Sequence, residues 1–247
     1  MMISSHNIMM TGSKDREQEE HMITENLQKV EERICSACAR AGRDRSSVTL
    51  VAVSKTKPNE MIMEAYDAGI RQFGENRPQE MRDKCAALPT DISWHMIGRL
   101  QRNKVKYVVG HAALIHSVDS FKLAQAISEE AVKKGVTARV LVEVNMAGEE
   151  SKGGVSPAEA TDLVREIAGL PNMEVRGLMT IAPLTQDPED NRRYFAGLRD
   201  LCIDIAQKNI DNTYMCELSM GMTGDYEVAI EEGATFVRVG TGIFGER

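Results

Sequence analysis

The hydrophobic positions of this chain change period repeatedly. Between about residues 16 and 41, Ile23, Leu27, Val30, Ile34 and Cys38 recur every three or four residues, which predicts an amphipathic helix closed by Gly42. The run that follows, Val48-Thr49-Leu50-Val51-Ala52-Val53-Ser54, is apolar or small throughout and rich in valine, the composition of a strand covered on both faces. The two patterns then alternate along the chain. Strands are predicted at 48–54, 70–74, 92–97, 113–117, 138–145, 174–181, 214–219 and 235–239. Helices are predicted between them near 59–68, 77–87, 101–109, 120–134, 157–169, 189–208 and 225–232. Local chemistry marks several helix starts. Ser156-Pro157-Ala158-Glu159 is a capping box with proline in the first turn, Asn59 and Asp119 are N-cap candidates, and Pro78 sits just inside a helix.

Eight strands separated by helices imply an all-parallel sheet, either open and doubly wound or closed into a barrel. The 247 residues match the roughly 250 of a typical (β/α)8 barrel, and no linker or shift of composition divides them. The expected fold is therefore α/β, a single-domain (β/α)8 TIM barrel over residues 16–247 with an extra N-terminal helix. Residues 1–15 are expected to be disordered.

Composition narrows the classes of function. A net charge of -7 argues against a general nucleic-acid surface. The local cluster Arg99, Arg102, Lys104 and Lys106 reads as a solvated helix face before it reads as an anion site. Five cysteines, an odd number without a secretory signal, point to free thiols in a reducing cytoplasm. Cys35 and Cys38 form a C-x-x-C inside a helical pattern, with no second pair at zinc spacing, so no metal is expected. No stretch is long and apolar enough to span a membrane.

The candidate chemistry collects where strands end, since a barrel builds its active face at the carboxyl ends of its strands. Lys55 follows the first strand directly, where an amine can be desolvated and lose its proton easily. Lys57, two residues on, supplies the second cation that favours such a nucleophile. A surface lysine capping a strand is the bland alternative. The last strand runs into Gly240-Thr241-Gly242-Ile243-Phe244-Gly245, whose glycines match a dinucleotide fingerprint, but no helix, second strand or acidic residue follows. The physical meaning of those glycines remains: bare backbone N–H groups can wrap a phosphate. Strand seven adds Leu218-Ser219-Met220-Gly221-Met222, and barrels commonly bind phosphate after strands seven and eight. A phosphate there and a nucleophilic lysine on the adjacent first strand describe a ligand with a phosphate at one end and an aldehyde at the other. Pyridoxal phosphate fits, and sugar phosphates of lysine-dependent aldolases fit almost as well. Arg238, two residues before Gly240, can face the interior beside a pyridine nitrogen, or it can be a core arginine paired with a carboxylate. His95 is expected to be a buried histidine bonded to backbone.

At this point the chain resembles a known family, the YggS/PROSC-type pyridoxal-phosphate homeostasis proteins, themselves similar to the N-terminal barrel of alanine racemase. The residues that carry the resemblance are Leu50 to Thr56, Phe73-Gly74-Glu75-Asn76, His95 to Lys104, Val144-Asn145, Glu150 to Gly153, Gly177-Leu178-Met179, Leu218 to Met222 and Val237 to Gly245. The resemblance implies a pyridoxal 5'-phosphate Schiff base on Lys55, with Ser219, Gly240 and Thr241 on the phosphate, Met220 beside them, Arg238 at the pyridine nitrogen and Asn76 near the ring. It also implies intracellular storage or delivery of the cofactor, with apo pyridoxal-phosphate enzymes as recipients, and a monomer rather than a dimer. Lys152 is a candidate second amine. The departures are mild: Arg77-Pro78 stands where aromatic or aliphatic residues are usual, and Gly242 where alanine is common. The alternative is a racemase of small amino acids. It is disfavoured because alanine racemase draws a tyrosine base from a second domain, and here the chain ends just beyond the last strand.

Overall fold

The structure, a computed structural model, describes residues 8–149 and 152–246, with side chains from Met22 onward. All eight expected strands form: β1 (Thr49–Val53), β2 (Gln72–Glu75), β3 (Ser93–Met96), β4 (Ala112–Val118), β5 (Ala138–Glu143), β6 (Met173–Met179), β7 (Thr213–Met222) and β8 (Phe236–Val239). They pair in chain order, all parallel, and β8 pairs back onto β1 with Ala52 beside Val239. It is this β8–β1 pairing that makes the sheet a closed barrel rather than an open one, and closure gives the strands two different apolar surroundings. Leu50, Ala52, Trp94, Met96, Val140, Val142 and Val237 join the large core shared with the helices. Leu114, Leu141 and Met179, one residue out of step with it, form a small separate cluster with Phe236 inside the barrel. Gly177 is required where β6 meets β7, since a Cβ there would lie 1.8 Å from the Glu217 carbonyl oxygen.

The helices are α1 (Ile8–Arg40), α2 (Asn59–Asp67), α3 (Pro78–Ala87), α4 (Phe121–Lys134), α5 (Pro157–Ala168), α6 (Arg192–Ala206), α7 (Tyr226–Glu231) and α8 (Thr241–Phe244). Helix α1 is the expected extra element. It lies over α2, α7 and α8, and Asn26 Nδ2 donates to the Ile243 carbonyl at 3.0 Å. Of the stretch 1–15 expected to be disordered, residues 1–7 lie outside the described residues and α1 begins at Ile8.

Three local expectations shift. The helix predicted over 101–109 is a 3-10 stretch, Arg102–Tyr107, because within it only Val105 is buried and so short a span has no full apolar face to anchor α-helical turns. The one predicted over 189–208 opens with a 3-10 turn, Pro188–Asn191, before α6. Pro58 and Ser120 occupy the N-cap positions expected for Asn59 and Asp119. The capping box forms as expected, with Ser156 N–H donating to Glu159 Oε2 at 3.1 Å. Helix α8, a single turn, had no counterpart among the predicted elements.

Candidate functional site

Lys55 is held by its neighbours. Strand β1 ends at Val53, and the buried Ser54 hydroxyl donates to Glu75 Oε1 at 2.6 Å. The backbone then turns through Thr56 at φ +62°, a conformation that β-branched residues rarely adopt. The Thr56 N–H donates to Glu80 Oε1 at 2.6 Å. Lys84 Nζ ties the two carboxylates together at 2.7 Å each and donates to the Ser54 carbonyl at 2.8 Å. Burial raises the Glu75 carboxyl above its ordinary range, with the Lys84 charge opposing the rise. Both residues flanking Lys55 are thus pinned from below. Lys55 itself is half-buried, and among the described residues its amine has no hydrogen-bond or ion-pair partner. Lys57 serves differently from the free second cation expected of it. Its Nζ donates to the Phe244 carbonyl at 2.9 Å and reaches Gly245 O at 3.4 Å, drawn to the carbonyls that end α8.

That contact brings the glycine loop to Lys55. Gly240 follows Val239 beside the end of β1, and a Cβ on it would lie 3.4 Å from Val53 Cβ and 3.5 Å from Val53 O. The loop's donors converge on one point. Gly240 N–H, Gly242 N–H and the Thr241 hydroxyl all meet Thr223 Oγ1, at 3.4, 3.5 and 3.3 Å. These contacts are longer than the usual 2.7–3.2 Å of a good hydrogen bond, so the donors are gathered but not saturated. Gly242 gives Thr223 its room, since a Cβ at 242 would lie 3.2 Å from Thr223 Cγ2 and 3.0 Å from Val239 Cγ1. Sequence reasoning missed Thr223. The available signal was a hydroxyl next to Gly224 in the loop after strand seven.

Ser219 lies elsewhere. Its register partner on β8 is Phe236, and its hydroxyl lies 2.5 Å from Arg238 Nη1 and 2.8 Å from His116 Nδ1. Because β4 and β7 are not neighbours, the His116 contact passes through the barrel interior. The structure therefore joins Ser219 to Arg238, and not to the Gly240–Thr223 cluster. Arg238 Nη2 donates to Thr180 O at 2.9 Å, and among the described residues Arg238 has no carboxylate partner at ion-pair distance. Burial brings its guanidinium down to about 10, with Asp225 and Glu143 pulling the other way. Met220 points away from the interior into the core between strands and helices, so only its backbone can face a ligand. Asn76 is half-buried at the end of β2, with Gly98 so close that a Cβ there would lie 2.5 Å from Asn76 O.

The interior holds further ionisable groups. His95 is buried as expected, but its partners are side chains, Gln72 Oε1 at 2.8 Å and His116 Nε2 at 2.9 Å. Burial pushes His95 down to about 4. His116 is lowered well below the usual range by burial, aided by His95 and Arg238. Glu143, at the end of β5, is pushed up to about 7 by burial and Asp119, against the charges of Arg238 and Arg99. Lys152 Nζ donates to Glu149 Oε1 and Ala182 O, each at 3.1 Å. Arg99, Arg102 and Lys106 are exposed and Lys104 half-buried, as a solvated face requires. No metal-binding cluster of His, Cys, Asp or Glu occurs among the described residues, and none of their helices is long and apolar enough to cross a membrane.

Comparison with known proteins places the chain. The family model for the alanine racemase N-terminal domain matches residues 25–247. A pyridoxal phosphate homeostasis protein of Aquifex aeolicus is 50% identical over 224 residues, covering 90% of this chain and 97% of the relative. A crystal structure of an unknown protein from Bifidobacterium adolescentis superposes with a TM-score of 0.88 at 44% identity, covering 92% of this chain and 96% of that one. PipY of Synechococcus elongatus, solved with pyridoxal phosphate bound, gives a TM-score of 0.78 at 38% identity, covering 90% of this chain and 100% of its own. With the barrel, the lysine at its mouth and these likenesses in agreement, the chain belongs to the family of pyridoxal phosphate homeostasis proteins.

Proposed function

We propose that this chain binds pyridoxal 5'-phosphate through Lys55 and acts in intracellular homeostasis of that cofactor, with residues 16–247 as the binding unit. The observation that carries the reading is the meeting of two unsaturated features: an amine at the end of β1 without a partner among the described residues, and the donors of Gly240, Thr241 and Gly242 in the loop beside that strand end. The residues fit the group. A phosphate oxygen would take the place now approached by the Thr223 hydroxyl, and it would accept stronger, charge-assisted bonds from the same donors. Arg238 uses two of its five N–H donors on Ser219 and Thr180, and the rest remain for a ring nitrogen. Asn76 is assigned to the ring, and Met220 to backbone contact only.

When bound, the cofactor supplies an aldehyde that condenses reversibly with an amine. The protein's part is to hold Lys55 in place through the Glu75–Lys84–Glu80 bonds, to anchor the phosphate, and to keep a positive guanidinium at the ring nitrogen. An arginine in that position leaves the nitrogen unprotonated, which weakens carbanion chemistry. The assigned role is therefore storage and delivery to apo pyridoxal-phosphate enzymes in the cytoplasm, as a monomer, without turnover of a substrate.

The test is borohydride reduction of the loaded protein followed by peptide mapping. The phosphopyridoxyl mass is expected on the peptide containing Ser54-Lys55-Thr56; recovery chiefly on Lys57 or Lys152 would overturn the assignment. Incubation of the loaded protein with L-alanine in heavy water is expected to leave the Cα hydrogen in place. Rapid exchange that disappears in Lys55→Ala would instead identify a racemase.

A further inference from the structure

An unbroken line of polar side chains crosses the barrel interior below the ligand site. Its direction can be deduced. Arginine has only donors, so the 2.5 Å contact from Arg238 Nη1 makes the Ser219 oxygen an acceptor. The Ser219 hydrogen then has one partner left, His116 Nδ1 at 2.8 Å, and a fully buried hydroxyl without a partner would be unfavourable. His116 must therefore carry its proton on Nε2 and donate it to His95 Nδ1 at 2.9 Å. His95 in turn carries its proton on Nε2 and donates it to Gln72 Oε1 at 2.8 Å. Starting from an obligate donor, the deduction arrives at a carbonyl oxygen, so one direction satisfies every contact with both rings neutral. A second proton on His95 Nδ1 would set two N–H groups against each other across 2.9 Å, and one on His116 Nδ1 would face the Ser219 hydroxyl across 2.8 Å and take away the only acceptor of its hydrogen. Phe236, with its ring 5.5 Å from His95 and 5.6 Å from His116, offers no other acceptor.

Gln72 opens β2 at the amino end of its strand, whereas Arg238 stands near the carboxyl end of β8. The line therefore joins one face of the barrel to the other. We propose that Gln72, His95 and His116 are positioning residues: from the face opposite the ligand, they fix the direction of the Ser219 hydroxyl and so the setting of Arg238. With its hydrogen committed to His116, Ser219 presents only an acceptor to Nη1, while Thr180 O holds Nη2. Two points pin the guanidinium plane. If the line ran the other way, the Ser219 oxygen would accept from both His116 and Arg238, and its buried hydrogen would be left without a partner. The proposal rests on the pyridoxal-phosphate reading only for the purpose that Arg238 serves.

Nitrogen NMR of the full-length, ligand-free protein tests this without cofactor. Long-range imidazole spectra are expected to show both His95 and His116 as neutral Nε2–H tautomers at pH 7. The two Nη signals of Arg238 are expected to be distinct because its rotation is restricted. Gln72→Met removes the terminal acceptor far from the ligand. It should mix the tautomers, merge the Nη signals and weaken pyridoxal-phosphate retention about fivefold or more, and Gln72→Glu, which keeps an acceptor, should restore all three. An Nδ1–H tautomer on either ring of the parent would overturn the proposal, even if no variant folds. Unchanged tautomers in Gln72→Met, or changed tautomers with distinct Nη signals and full retention, would overturn it as well. A parent that takes up no pyridoxal phosphate would sink the functional reading instead, and the ligand-free spectra keep the two failures apart.

Discussion

Replacing Lys84 with methionine tests what holds Lys55 in place. The substitution keeps the length and the buried stem but deletes an ammonium whose side chain is 7% exposed, together with its bonds to Glu75, Glu80 and the Ser54 carbonyl. The Glu75 side chain is 0% exposed and among the described residues its second oxygen has no hydrogen-bond partner, so removing Lys84 leaves a buried carboxylate without a counter-charge. Breaking such a pair from one side costs about 3–5 kcal/mol. For a chain of this size each kcal/mol lowers the melting temperature by roughly 2–4 °C, so a fall of about 6–20 °C is expected. The pH dependence has a definite sign. Burial already raises the Glu75 carboxyl, and loss of the ammonium raises it further. The folded variant therefore binds that proton more tightly than the unfolded chain does, and its deficit is full at high pH and shrinks as pH falls through the raised value. The double variant Lys84→Met with Glu75→Gln removes both charges and should recover part of the loss. Thermal melts of the parent, single and double variants at pH 8 and pH 5 decide the matter. A single variant within about 1 kcal/mol of the parent, or a double variant no better than the single, would refute the reasoning.

Two further predictions concern the barrel mouth. Burial holds the Glu143 carboxyl up at about 7, so stability should fall by about 3 kcal/mol as pH rises from 4.5 to 7, and Glu143→Gln should flatten that slope and melt higher than the parent at pH 8. An unchanged slope in the variant would show that Glu143 is not the group responsible. Thr223→Val and Thr241→Ala each remove a hydroxyl from the phosphate cluster, a loss of roughly 1.5–3 kcal/mol, so titration should show pyridoxal-phosphate affinity about ten- to a hundredfold weaker. The same change in affinity for pyridoxal, which lacks the phosphate, would refute that role.

How much of this was legible follows from how far each signal reaches along the chain. The strands were, because a run such as Val48 to Val53 states its own burial, and Lys55 inherits its place from the strand it ends. The 3-10 stretch at Arg102–Tyr107 was not, since periodicity over six residues cannot separate one helix type from another. Alternation along a strand says which side chains face inward but not how high each one sits. The bonds Ser219 makes to Arg238 and His116 depend on the irregular register between Ser219 and Met222 on β7, which a one-strand pattern does not show. The His116–Ser219 contact joins residues 103 apart on strands that never touch, so nothing local announces it.

The polar groups of the barrel fall into two kinds by the quality of their bonds, and the division indicates which of them hold and which bind. Those of Ser54, Glu75 and Lys84 meet at 2.6–2.8 Å, and the line from Arg238 to Gln72 at 2.5–2.9 Å. Around Thr223 the contacts stretch to 3.3–3.5 Å, and Lys55 has none among the described residues. A ligand that displaces long contacts gains nearly the full strength of its new bonds, whereas one that recruits a saturated group must first break what that group already makes. Ser219 would have to release a short bond to a buried guanidinium and another to a buried imidazole. Thr223 would release only weak ones. On that reasoning the Thr223 hydroxyl is the more readily recruited of the two if pyridoxal phosphate binds as proposed, and a direct bond from Ser219 to the phosphate would first cost its present bonds to Arg238 and His116.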